Sequence, residues 1–172
     1  MTMFREVENK GLPCHLFGYI MDAEEQNGFY DSLDIYFSAL GDGTAEMEIP
    51  VAPMHYNSAG IVHGGVFAGL LDSTMGMAML TKNKAGVTTS LNVNYLKGAA
   101  KGDVLRAEAT VTHDGRKMLY CEGKIYNQRG DLLATGQGAF LVQVEDFVQM
   151  YAAKLRENGY IEMDASGYIT LL

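Results

Sequence analysis

The residues best placed to do chemistry lie in one run, Asn57-Ser58-Ala59-Gly60-Ile61-Val62-His63-Gly64-Gly65-Val66-Phe67-Ala68-Gly69-Leu70-Leu71-Asp72. Asp72 is the only ionisable residue between His63 and Lys82. Its neighbours are apolar enough for a buried helix, where an unpaired charge costs several kcal/mol. Such a carboxylate is paired, protonated or functional, and one with a raised pKa is a natural general base or nucleophile. His63-Gly64-Gly65 stands where that helix should begin. The first N–H groups of a helix have no intrahelical partner, and with the helix dipole they favour negative charge, as on a carbonyl oxygen during acyl transfer. Glycine there lets a substrate come close to the backbone. Gly-Gly before a helix is also an ordinary junction, and a helical Asp can be salt-bridged. The combination of the two features, not either alone, points to acyl chemistry.

Distance constrains how they combine. Asp72 lies eight residues beyond Gly64, roughly 12 Å at about 1.5 Å rise per residue. An oxyanion donor and a base acting on one carbonyl must each lie within about 3 Å of the reacting atoms. One helix therefore cannot supply both. Two antiparallel helices related by a two-fold axis can, with Gly64 of one chain facing Asp72 of another. The catalytic reading thus predicts an obligate homodimer with two equivalent sites.

The elements that must position these residues follow from periodicity. Residues 1–31 are weakly patterned, with a short helix or irregular loop expected over 24–33. Leu33, Ile35 and Phe37 then alternate with polar neighbours, as do Ala45, Met47 and Ile49 beyond Gly41-Asp42-Gly43, which reads as a β-hairpin ended by Pro50 and Pro53. Residues 66–81 are apolar nearly all round and long enough for a buried helix. Four strand-like segments follow, 86–96, 103–113, 117–127 and 131–143, with Asp114-Gly115 and Arg129-Gly130 as turns. They read as a four-stranded antiparallel meander. Six strands and one greasy helix make an α+β architecture, a curved antiparallel sheet wrapped around the helix. Its uncovered face or edge suits a subunit contact. Within the last strand, Gly136-Gln137-Gly138 marks a bulge or tight packing. Residues 145–157 have the charge placement of an amphipathic helix, with Val148, Tyr151, Ala152 and Leu155 on one face. A small hairpin, 160–164 with 168–172, ends the chain. This tail reads as a packing or oligomer element rather than a nucleic-acid reader, since no recognition helix is evident.

The spacing Asn57-x-x-Gly60-x-x-His63-Gly64-Gly65, followed by Asp72 nine residues after the His, resembles the hot-dog-fold thioesterases of the phenylacetate-pathway (PaaI) type. The likeness continues through Gly86-Val87-Thr88 and Asn92-Val93-Asn94-Tyr95 and covers roughly residues 33–143. It implies a hot-dog domain over 1–143 and a helix-hairpin extension over 144–172. It further implies an acyl-CoA thioesterase in which Asp72 attacks or activates water and the Gly64 N–H polarises the thioester carbonyl. Asn57 and His63 would order the loop or contact the thioester. Thr88 would help to place the water, with Thr89 or Ser90 as substitutes if the register slips. Gly65 would lie against the substrate, and Lys97 and Lys101 could meet the CoA phosphates or be plain surface lysines. Ser58 departs from the proline many relatives carry. The resemblance implies no cofactor beyond the CoA of the substrate. Two alternatives stay open: a non-catalytic acyl-CoA-binding or regulatory module that uses the same pocket and whose tail engages a partner, and dehydration of acyl thioesters, which hot-dog folds also host.

Composition narrows the field. A net charge of −8 without a run of Lys or Arg disfavours nucleic acid. Cys14 and Cys121, the only cysteines, suit a reduced, cytoplasmic setting, and the acids at Glu6 and Glu8 argue against an export signal. The apolar stretch 64–81 is interrupted by four glycines and Asp72, which argues against a membrane span. His15, His55, His63 and His113 lack zinc spacing, and no metal is expected. Eleven methionines fit core filling or an adaptable acyl pocket. A pairing of dimers into a tetramer is compatible with such a sheet.

Overall fold

The computed structural model describes residues 6–25 and 27–158, and the backbone of 161–163 and 169–171. In chain order the elements are β1 (Glu8–Lys10), α1 (Cys14–Glu24), α2 (Gly28–Ser32), β2 (Tyr36–Gly41), β3 (Thr44–Pro50), α3 (Gly64–Leu80), β4 (Ala85–Tyr95), β5 (Val104–Asp114), β6 (Met118–Tyr126), β7 (Leu132–Val144), α4 (Phe147–Glu157), β8 (Ile161–Met163) and β9 (Ile169–Leu171). The expected hairpin forms from β2 and β3, turned at Asp42-Gly43, where Gly43 takes a φ of +68°. The buried helix begins at Gly64, two residues before the apolar run, because His63 caps it: its Nδ1 accepts the Gly65 N–H at 2.9 Å.

Two expectations about the sheet are corrected. The four strands after α3 do not form a meander: the sheet order is β1-β2-β3-β5-β6-β7-β4. Only β5, β6 and β7 run as consecutive hairpins, while β4 crosses over to pair antiparallel with β7. Tight turns join the last three strands, but the Lys97–Gly102 segment after β4 is long enough to carry the chain away. The sheet also has seven strands rather than six, because Glu8–Lys10 pairs in parallel with β2. The N-terminal region, weakly patterned in sequence, forms the eleven-residue helix α1 as well as the anticipated short helix α2. Leu16 and Ile20 bury one stripe of α1, too narrow a signal to stand out.

Helix α3 lies across the sheet, touching β2 to β7. Leu70, Leu71, Met75 and Ala78 are fully enclosed. Close approach depends on glycines in the strands beneath. A Cβ added to Gly123 or Gly136 would come within 2.8 or 3.0 Å of a Leu71 methyl, and one at Gly138 within 3.2 Å of Met75. Gly136 and Gly138 are therefore packing glycines, with no register shift at either.

Helix α4 packs on α1. The Tyr151 hydroxyl donates to Asp22 at 2.8 Å, and its ring meets Tyr19 and stacks on Phe147. Phe147, Tyr151 and Ala152 are buried, while Val148 and Leu155 of the expected face are half-buried. Strands β8 and β9 pair antiparallel, Ile161 opposite Leu171. The expected turn at 165–167 lies outside the described residues. No helix among the described residues is long and apolar enough to cross a membrane.

Candidate active site

The loop before α3 is built by Asn57. Its side-chain carbonyl accepts the N–H groups of Ala59 at 2.9 Å and Ile61 at 3.3 Å, closing an Asx-type turn. Its backbone N–H donates to Ile61 O, and Gly60 takes a φ of +77° within the turn. Asn57 thus shapes the turn that leads into α3. The loop is tied down by Val62 N–H to Ala99 O at 3.1 Å and His63 N–H to His55 O at 2.8 Å. His55 is fully buried, with Nδ1 accepting the Ala52 N–H and Nε2 facing Leu33 O at 3.1 Å. His63 is occupied as the helix cap, which fixes the ring beside the first turn.

Gly64 is the first residue of α3, so its N–H has no partner within the helix. Its carbonyl accepts the Tyr95 hydroxyl at 3.2 Å, and a Cβ on Gly64 would lie 3.4 Å from the Tyr95 ring. Tyr95 in turn meets Phe67 edge-on. Gly65 is exposed next to it.

Two turns along α3, Asp72 is half-buried, not fully buried as its apolar neighbours suggest. The reason is a cavity of about 340 Å³ that opens beside it. Thr88 on β4 donates its hydroxyl to Asp72 Oδ1 at 2.8 Å. A register shift between Thr88 and Ser90 separates the candidate hydroxyls: that of Thr89 turns to Ala139 O at 3.0 Å. Of the two adjacent threonines, Thr88 is the one that bonds Asp72. The cavity walls include Phe29, Tyr30, Gly76, Met77 and Phe140. Gly69 leaves room for Phe29, whose ring tip would lie 2.8 Å from an added Cβ. Phe29, Tyr30 and Ser73 were missed in the sequence. Ser73 carried only its place beside Asp72, and α2 offered no periodicity to mark its aromatics as wall residues.

The remaining candidates sit apart from this cavity. Lys97 is paired with Asp131 at 2.9 Å, and Lys101 is exposed on the same loop. That loop reaches the Asn57–Gly64 loop through Ala99 and through Gly98, which packs near Ile61. Among the described residues, no cluster of three or more His, Cys, Asp or Glu side chains could hold a metal.

Comparison with known proteins places this geometry. Residues 59–134 match the model of the thioesterase superfamily. The proofreading thioesterase EntH of Klebsiella pneumoniae is 30% identical over 113 residues, covering 64% of this chain and 82% of that protein. The chain belongs to the thioesterase superfamily. Its fold is the hot-dog fold: the PaaI protein of the phenylacetic acid degradation operon of Escherichia coli superposes with a TM-score of 0.73 over 77% of this chain and 96% of that one, at 23% identity. A hypothetical thioesterase of Streptococcus pneumoniae TIGR4, solved with coenzyme A, has a TM-score of 0.63 at 26% identity, covering 65% of this chain and 90% of that one. The thioesterase match begins in the Asn57–Gly64 loop and ends in β7, so it takes in Gly64, Asp72 and Thr88.

Proposed function

We propose that this thioesterase-superfamily protein hydrolyses acyl-CoA thioesters at two equivalent sites, each shared between two copies of the chain. The observation that carries the reading is the Thr88–Asp72 pair beside an apolar cavity. Thr88 orients the carboxylate, leaving Oδ2 to take a proton from water or to attack. The cavity accepts the acyl group, and the Gly64 N–H of the other copy receives the developing oxyanion.

The path of β4 supports the shared site. This strand ends the sheet, and it runs antiparallel to α3, with Thr88 beside Asp72 and Tyr95 beside Gly64. An eleven-residue edge with free N–H and C=O groups is a template for pairing. Exposed Val87, Tyr95 and Leu96 lie along it. Two copies joined antiparallel about a point between Leu91 and Asn92 set Thr88 of one strand near Tyr95 of the other. Asp72 then faces the partner copy's oxyanion turn, as the helix arithmetic requires. The coenzyme A bound to the Streptococcus pneumoniae relative supports the CoA ester as substrate class.

The test is turnover of aryl-, short- and medium-chain acyl-CoAs by the wild type and Asp72→Asn, with mass measured by light scattering. Asp72→Asn should reduce kcat by at least about a hundredfold, and the active species should be a dimer or a multiple of it. Hydrolysis by a stable monomer, or activity that survives the substitution, would sink this mechanism.

A further inference from the structure

Gly76 follows Asp72 by one turn of α3 and lines the same cavity. A glycine inside a helix is less favourable than alanine, so its presence there calls for a compensating reason. At Gly69 the reason is packing, since an added Cβ would come within 2.8 Å of the Phe29 ring. At Gly86, the cavity's glycine on β4, a Cβ would collide with the Leu141 carbonyl of β7. At Gly76 a Cβ would meet nothing within 4 Å. Yet its neighbours Met75, Met77, Ala78 and Met79 are all buried, whereas Gly76 is half-buried. The room beside Gly76 is therefore part of the cavity, and no neighbouring element uses it to approach the helix.

We propose that Gly76 sets the length of acyl group the cavity admits, and that the substrates are medium-chain acyl thioesters whose chain runs past it. The inference rests on the hydrolytic reading above, with the thioester carbonyl held at Asp72. Four residues separate Asp72 from Gly76, about 6 Å at about 1.5 Å rise per residue. An extended chain advances about 1.2 Å per bond, so roughly five bonds span that distance. Acetyl ends well short of Gly76, and hexanoyl reaches it. The walls are apolar there: Met77 and Met79 come from α3, and Phe140 from β7, opposite Thr88 in register. Such a lining suits a hydrocarbon chain, and methionines adapt to its shape. Helical side chains lean back toward the N-terminus, so one placed at position 76 would lie over the turn that carries Asp72 and fill the space. Gly76 is thus a specificity-determining residue that discriminates by chain length and takes no part in proton transfer.

The experiment compares the full-length wild type with Gly76→Ala, Gly76→Val and Asp72→Asn, by steady-state kinetics on acetyl-, butyryl- and hexanoyl-CoA and by thermal unfolding. Wild-type kcat/KM should climb along that series, about fourfold for each methylene buried. Gly76→Val should cut the hexanoyl-to-acetyl ratio of kcat/KM by at least about tenfold, and Gly76→Ala by about threefold. Gly76→Ala should also raise Tm by about 2–4 °C, because alanine favours the helix and nothing obstructs its methyl. A wild-type profile that is flat along the series, an unchanged ratio in Gly76→Val, or equal losses on both esters would each overturn the proposal. So would a lower Tm in Gly76→Ala, which would make Gly76 a packing glycine like Gly123. If Asp72→Asn is inactive in those cases, the hydrolytic reading still stands. A wild type that turns over no thioester, or a fully active Asp72→Asn, overturns both.

Discussion

Thr88 Oγ1 donates to Asp72 Oδ1 at 2.8 Å, bridging edge strand β4 and central helix α3. The bond exists because the register shifts beside Thr88, which turns the next hydroxyl, that of Thr89, to the Ala139 carbonyl. Two adjacent threonines therefore have unlike neighbours, and only one serves the carboxylate.

That difference is measurable. Thr88→Ala should lower kcat by about tenfold, in line with loss of one hydrogen bond to a charged group. Thr88→Ser should retain most of the rate, and Thr89→Ala should match the wild type within about twofold. Equal effects at the two positions would show that Asp72 is not oriented from β4.

Packing under α3 gives a second expectation. Leu71 is fully enclosed, so its methyls cannot swing away from a side chain added at Gly123, 2.8 Å off. Gly123→Val should destabilise the fold by about 1–3 kcal/mol through overpacking. Urea unfolding followed by circular dichroism would show it as a lower midpoint at unchanged slope. An unchanged midpoint would mean that the helix does not approach the sheet there.

Acid stability provides a third. The Lys97 ammonium, with Asn127 and Arg129, holds Asp131 down to about 2. The Gln149 N–H, with Asn83, lowers Asp146 at the start of α4, and the Ala100 N–H lowers Asp103. A carboxylate depressed in the folded state stabilises above its unfolded pKa, near about 3.9, and loses that contribution as pH falls through the folded value. Urea midpoints should therefore fall between pH of about 4 and about 2, modestly, because solvent screens these surface carboxylates. Asp131→Asn should make that drop shallower. A parallel decline in the variant would assign the acid sensitivity to other groups.

Much of this protein was written locally in the chain. The six strands from β2 to β7 and the helix α3 follow from period and turn residues, since burial on one face imposes alternation on a strand and an apolar surface on an enclosed helix. Asp72 stood out because an ionisable group in such a helix needs a reason, and Gly64 because helix ends leave N–H groups unpaired. The distance between them could be computed from helical rise alone. What the sequence left open required partners distant in the chain. The pairing of β4 with β7 rather than β5 is set by nonlocal hydrogen bonds that no local pattern encodes. The half-buried state of Asp72 depends on a cavity walled by α2, a helix too short and too aromatic to announce its role. Thr88, not Thr89, meets Asp72 because a one-residue shift in register redirects side chains, a geometric effect that residue types do not reveal. The motif was legible in one dimension; the side chains around Asp72 were decided in three.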